Sequence, residues 1–213
     1  MNWFERFLCW ALPYTDIKRD DSPEIYLRRF FLYPRNKDFG KNKGKGRWYI
    51  HKFYRGDEDP HMHDHPWPFT SLILTRGYWE ETPFVWADPN LNDYQLSHSI
   101  HEYVPGTSDP RRLVWYPPFS LLRRPATWKH RVVLEGKKPV WTIVRTGVKE
   151  RSWGFWVMDK LCPWREYKNG VCWCNDQPMN VAPPDPVMTT RMAQKKALFG
   201  RAIETTGHLP DVW

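Results

Sequence analysis

Short alternating runs of aromatic and β-branched residues, cut at near-regular intervals by Pro, Gly, Asn and Asp, constrain this chain more than any other feature. Segments 24–33, 47–55, 69–75, 78–86, 97–104, 112–116, 121–124, 129–134 and 139–147 each read as a strand, and 152–158 adds one more. Runs this short bury their apolar faces only by packing sheet on sheet, so the expectation is an all-β sandwich or barrel. The 14 Trp, 11 Phe and 10 Tyr reinforce it, because aromatic side chains favour strands. Phe69–Thr75 and Tyr78–Trp86 are expected to pair around Arg76-Gly77, and no internal repeat is evident.

The chain of 213 residues suffices for one well-buried core with extensions. The divisions expected are 1–23, an N-terminal helix and turn; 24–160, the barrel; and 161–213, an extension with a Cys/Trp hairpin at Asn169-Gly170, a Pro-rich linker and a basic helix or tail. Trp3, Phe4, Phe7, Leu8 and Ala11 recur at helical spacing between an Asn2 cap and Pro13, predicting a helix whose apolar face packs on the barrel. Residues 15–22 read as a polar turn.

The formal charge of +8 favours acidic partners, nucleic acid included, yet the basic residues form no dominant block and a solvated basic surface accounts for them. The loop Gly40–Gly46 has glycine and lysine without a phosphate-loop order and reads as a hairpin tip. Cys9, Cys162, Cys172 and Cys174 are too few and uneven for a secreted disulfide framework; free thiols in a cytoplasmic protein are expected, with a structural zinc as the lesser reading. No apolar run is long enough to span a bilayer, so no membrane partner is expected. No nucleophile elbow, Walker loop, dinucleotide-binding glycine pattern or H-E-x2-H helix occurs, which sets aside those hydrolytic and nucleotide-driven chemistries.

The chemistry concentrates in His61-Met62-His63-Asp64-His65-Pro66-Trp67, where alternate imidazoles share one face of an extended segment. His130, 65 residues beyond His65, follows Pro125 and Thr127. These residues resemble the two motifs of the cupins, small double-sheet jelly-roll barrels. The first family motif is G-x5-H-x-H, then Glu after three or four residues and Gly six further on. Gly56, His63, His65, Thr70 and Gly77 follow it, with one extra residue after Gly56 and Thr70 in place of the glutamate. The second, P-x-G-x2-H-x3-N, is matched by Pro125, Thr127, His130 and Leu134 at every interval, with Thr and Leu replacing Gly and Asn. Taking His61 and His63 as the pair throws Gly77 out of step, so His63 and His65 are preferred. The resemblance spans Arg47 to Gly147. Phe53–Glu81, Trp153-Gly154-Phe155 and Pro163-Trp164-Arg165-Glu166 further resemble small cupin-like proteins of bacteriophages and bacteria.

The resemblance implies a cupin double-stranded β-helix in which His63, His65 and His130 hold one divalent metal, Fe(II) first, with Zn, Ni or Mn as others, and Cu(II) also suits imidazole. It implies a small-molecule substrate and the homodimer that many cupins form. His61 shares the parity of the pair and is a spare ligand unless the Pro60 turn swings it out; Asp64 should face away. His51, Thr70 and Asp64 are candidates to support the ligand rings from behind. Of Glu80 and Glu81, alternation aims one inward, and an inward Glu80 is a candidate general base. Among Arg76, Arg124, Arg131 and Arg145, Arg145 shares parity with Trp141 and Ile143 and is expected inward, as a catalytic or substrate-holding cation. Trp67, Trp79, Trp115 and Trp128 are candidates for an aromatic pocket. The leading expectation is an oxygen-dependent oxidation; a metal-dependent sugar isomerase or epimerase and a non-catalytic ligand- or protein-binding cupin remain open beside it.

Overall fold

A computed structural model describes residues 2–19, 22–35, 44–57, 59, 61–83, 99–102, 111–136, 138–157, 160–169, 171–174 and 177–180. They fall in one compact unit, Met1–Val181; the second unit, Ala182–Trp213, lies outside the described residues, as do the expected basic helix and most of the Gly/Lys-rich loop, while the expected linker 175–187 is described only at Gln177–Asn180, which is a strand.

Ten strands form two antiparallel sheets. They are β1 (Tyr14–Arg19), β2 (Ser22–Tyr33), β3 (Arg47–Phe53), β4 (Phe69–Ile73), β5 (Tyr78–Pro83), β6 (Ser99–Glu102), β7 (Arg111–Tyr116), β8 (Leu121–Arg124), β9 (Arg131–Val133) and β10 (Val140–Thr146). The larger sheet runs β1-β2-β3-β10-β4-β8 and the smaller β6-β7-β5-β9. From β7 to β10 the chain changes sheet at every step, and the inner faces share one core of Ile73, Tyr78, Val114, Tyr116, Leu122, Val132 and Val140. This is an all-β jelly roll, the architecture expected from the sequence.

Where alternation was clean, the expected strands match the observed ones within a few residues. The pairing around Arg76-Gly77 does not. β4 and β5 lie in different sheets, and the dipeptide carries the chain between them with φ of 63° and 81°. A Cβ on Gly77 would stand 2.5 Å from the Tyr116 carbonyl oxygen, so this corner requires glycine for space as well as backbone. The polar stretch 15–22 also differs, since most of it is β1, paired with β2 through Asp16↔Arg28 and Thr15↔Arg29. Charge across the ladder supplies what apolar alternation did not.

Helix α1 (Trp3–Ala11) is capped by Asn2, whose side chain accepts from the Glu5 amide at 2.9 Å. Its buried face is not the expected aromatic one. Glu5 and Leu8 are buried while Trp3, Phe7 and Trp10 are exposed. Glu5 decides this, meeting Arg28 at 3.0 Å and Lys52 at 2.7 Å and accepting from the Tyr54 hydroxyl. Burial alone pushes the Glu5 carboxyl up; the hydrogen bonds from Lys52 and Tyr54 and the charges of Lys52 and Arg28 outweigh it and hold the group below its ordinary value of 4.5.

Beyond the barrel, β11 (Gly154–Val157) pairs with β12 (Lys160–Pro163), α2 (Trp164–Lys168) follows, and β13 (Val171–Cys174) pairs with β14 (Gln177–Asn180). Asn169 ends α2 as its cap and so does not turn the expected hairpin. Cys162 and Cys172 form a disulfide where free thiols were expected, a state that oxidising compartments favour, whereas Cys9 is free. Among the described residues no helix is long and apolar enough to cross a membrane.

Candidate metal centre

The segment from Met62 to His65 lies between β9 and β11, bonded to both. His63 exchanges both backbone hydrogen bonds with His130 at 2.9 Å, and Trp156 and Asp64 bond across to Met62 and Gly154 at 2.8 and 3.1 Å. Asp64 is fully buried on the side away from the imidazoles, accepting from Arg151 at 2.6 Å, the Gly154 amide at 3.0 Å and the Trp156 indole at 3.2 Å. That knot fixes the parity, turning His63 and His65 to the opposite side as the sequence implied.

His63, His65 and His130 converge. One ring nitrogen from each lies within 4.8 Å of the other two, and the ring centroids form a nearly equilateral triangle of 5.2, 5.0 and 4.9 Å. The Nε2 atoms of His65 and His130 face each other at 2.7 Å. Two nitrogens bound ~2.1 Å from one cation at a tetrahedral angle stand about 3.4 Å apart, so a small outward movement of this pair accommodates an ion. Burial, followed by the charges of His130 and His63, pushes His65 well below its ordinary 6.5. Burial likewise lowers His63, against the opposing pull of Asp57. Both rings are therefore deprotonated donors at neutral pH, the form a metal requires. A three-nitrogen donor set of this kind fits a divalent transition metal.

Glu80 stands behind His130, accepting from Nδ1 at 3.1 Å. The same carboxylate accepts from the Trp128 indole at 2.5 Å and from the Arg124 guanidinium at 3.3 Å through both Nε and Nη2. Burial raises this carboxyl, but Arg124, His130 and the Trp128 hydrogen bond prevail and hold it far below 4.5. Glu80 is thus a fixed anion that orients the His130 ring, with its oxygens already engaged; it is not among the residues that line the cavity, as a general base would be. Glu81, expected on the exposed side, is equally buried because Arg111 and Arg131 meet it at 2.7 and 2.6 Å. Alternation assigns faces, and the covering arginine stems bury both.

A cavity of about 420 Å³ opens beside the triad. Its walls are alternate residues of the larger sheet, including Leu27, Phe53, Phe69 and Val144, with Tyr78 and Val132 from the smaller one. Asp57 lies at its edge, 3.9 Å from His63 Nδ1, and accepts from the Tyr26 hydroxyl and from the Val132 amide at 2.6 Å.

Several expected residues stand elsewhere. Arg145 is exposed, its guanidinium 5.7 Å from the Trp48 ring centre; β10 turns Thr142, Val144 and Thr146 to the cavity, so the parity assumed from Trp141 and Ile143 was that of the outer face. Arg124 and Arg131 are committed to Glu80 and Glu81. Thr70 faces away from the cavity between Phe69 and Ser71, which line it. His61 is swung out and bonds Tyr167 at 3.0 Å, with burial lowering it to about 4. Of the four tryptophans proposed for a pocket, Trp67 lines the cavity; Trp79 and Trp115 pack against each other with tilted rings, and Trp128 serves Glu80. Arg29 and Trp153, both on the cavity wall, were not singled out as site residues. The signal for Arg29 was a cation within an aromatic strand; Trp153 had none beyond proximity to β11.

No family model matches the sequence, and no curated protein matches it. Among solved structures, the chain is similar to a cupin-2 domain protein of Rhodospirillum rubrum at 11% identity, over 67% of this chain and 74% of that one, with a TM-score of 0.37. It is similar to the polyketide cyclase RemF of Streptomyces resistomycificus at 10% identity, over 75% and 89%, with a TM-score of 0.43. A Bacillus subtilis oxalate decarboxylase variant matches at 11% identity over 66% of this chain, which spans 29% of that enzyme's length, with a TM-score of 0.37.

Proposed function

We propose that this chain is a mononuclear metal enzyme in which His63, His65 and His130 hold one divalent cation, Fe(II) in first place, and which oxidises a small molecule with dioxygen. The observation that carries the reading is the convergence of three ring nitrogens within 4.8 Å of one another on the wall of a 420 Å³ cavity. Bound Fe(II) would supply the electron-transfer chemistry with dioxygen that no side chain here provides. The chain's own residues prepare the place for it. Burial keeps His63 and His65 unprotonated, the Glu80 carboxylate fixes the His130 ring, and Phe69, Tyr78, Val132 and Val144 give the substrate a mostly apolar, water-poor surround. Sugar isomerisation asks for a carboxylate free to carry protons beside the metal; Glu80 is bound by Arg124, Trp128 and His130, and Asp57 by Tyr26 and Val132, so the oxidative reading is preferred.

The test is elemental analysis of protein purified without chelators, followed by oxygen consumption of the Fe(II)-loaded protein over a substrate panel. Stoichiometric metal in the wild type that disappears in His63→Ala and His130→Ala is expected. Wild-type protein that takes up none of Fe(II), Mn(II), Ni(II) or Zn(II) overturns the reading and leaves a non-catalytic binding protein.

A further inference from the structure

Adjacent arginines on β2 have opposite fates. Arg28 faces α1 and is neutralised twice, by Asp16 at 2.6 Å and Glu5 at 3.0 Å. Arg29 points the other way, to the cavity wall, where its partners are neutral: its Nε donates to His51 Nε2 at 3.0 Å and its guanidinium lies 4.9 Å from the Tyr49 ring centre. Among the described residues no carboxylate pairs with it. A guanidinium taken from bulk water without a counter-charge is costly, and proteins keep one where an anion comes to meet it.

The ladder registers extend this polar spot. Arg29 is opposite His51, His51 is opposite Thr142, and Thr142 is opposite Ile73, so Arg29, His51 and Thr142 form one row across β2, β3 and β10. Thr142 is fully buried, and its hydroxyl has no hydrogen-bond partner among the described residues. His51, deprotonated through burial and the charge of Arg29, accepts from Arg29 on Nε2 and so carries its own hydrogen on Nδ1. The rows on either side are Leu27, Phe53 and Val140, and Phe31, Tyr49 and Val144. A row of polar groups thus crosses this wall, with the Tyr49 hydroxyl beside it and Leu27, Phe53, Val140 and Val144 flanking it.

We propose that Arg29 is the anchor for the carboxylate of a small, otherwise apolar acid bound in the cavity that the three histidines also line. As a statement about substrate this rests on the metal-enzyme reading; as a statement about binding it stands alone. One planar guanidinium matches one carboxylate by two parallel hydrogen bonds. A phosphate dianion would call for a second cation, and among the described residues no other lysine or arginine lines the cavity. The one acid of the lining among the described residues, Asp57, is engaged by Tyr26 and Val132. A volume of about 420 Å³ suits a compact ligand whose apolar end rests on Phe53, Phe69 and Val144.

Calorimetry with 3-phenylpropanoate and its uncharged amide, 3-phenylpropanamide, tests this on full-length protein, both metal-loaded and chelator-treated. In wild type the acid binds at least about tenfold tighter than the amide in both states, as a charge-assisted pair requires. In Arg29→Gln the two bind alike, in Arg29→Lys part of the preference returns, and the metal content of both variants equals that of wild type. Thermal melting of each variant establishes that it is folded. Wild-type protein that does not distinguish acid from amide, including by binding neither, overturns the proposal, as does an acid preference that survives in Arg29→Gln. An Arg29-dependent preference in protein that takes up no metal upholds the anchor and removes the metal reading; metal uptake without the preference does the reverse.

Discussion

Replacing Glu80 by Gln tests the support of the metal centre most sharply, because one substitution acts on stability and on metal affinity by separate routes. The Glu80 and Arg124 side chains are each 1% exposed. Breaking a buried ion pair by neutralising one member costs about 3–5 kcal/mol, since the other charge stays buried. Gln keeps one oxygen for the Trp128 and His130 donors, and Arg124 keeps its bond to the Tyr116 hydroxyl at 2.9 Å, so the lower end, about 3 kcal/mol, is expected. At about 2–4 °C per kcal/mol for a chain of this size, the melting temperature falls by roughly 6–12 °C. Metal affinity falls by about 10–100-fold, the usual effect of weakening the group behind a ligating imidazole. Scanning calorimetry and competition against a fluorescent chelator read the two quantities. The double variant Glu80→Met/Arg124→Met separates them. It removes both charges and regains much of the stability, while His130 Nδ1 loses its acceptor altogether and affinity stays low. A Glu80→Gln protein that melts with wild type and binds metal with wild-type affinity refutes the account.

His61→Ala keeps full metal occupancy while His65→Ala loses it, as elemental analysis of the two proteins will show, because His61 is bonded to Tyr167 outside the triad. Arg145→Ala changes stability by no more than about 0.5 kcal/mol and leaves 3-phenylpropanoate affinity unchanged, the ordinary outcome for an exposed side chain; a large loss of affinity would restore Arg145 to the cavity. The Glu5 carboxyl, held below 4.5, contributes stability that is fully present above its unfolded value and is lost as pH falls through the folded one. Glu5→Gln therefore flattens the fall in melting temperature below about pH 4.5, and an unchanged acid slope would show that Glu5 is not ion-paired. Cys172→Ser opens a cross-link between residues 10 apart and costs about 2–3 kcal/mol, measured by denaturant titration beside wild type with and without reductant.

The barrel strands were legible because half-buried strands alternate, and the convergence of the three histidines because H-x-H parity and the spacing around His130 survive translation into a sheet. What escaped has a common cause: the sequence specifies periods, and pairing decides phase. Arg145 was placed inward by a parity that is real, yet nothing local says which parity faces the core, and Arg29 was overlooked for the same reason. Glu5 and Glu81 read as solvent-facing because acids usually are, and only their distant arginine and lysine partners reverse that. The polar β1 hides its strand character because its ladder is held by charge against Arg28. The Cys162–Cys172 link joins one cysteine from each of two successive hairpins, a proximity that a linear spacing rule does not contain.

The gap of 2.7 Å between the facing nitrogens of His65 and His130 admits a single hydrogen, and with His130 Nδ1 donating to Glu80 that hydrogen sits on His65 Nε2. Loading this centre would therefore be an exchange of tautomers: the hydrogen moves to the far nitrogen of its ring before both lone pairs can turn to a cation. Uptake slows and weakens as the medium becomes acidic, because protons then compete for the same lone pairs, and near neutral pH a titration releases no net proton from these neutral rings.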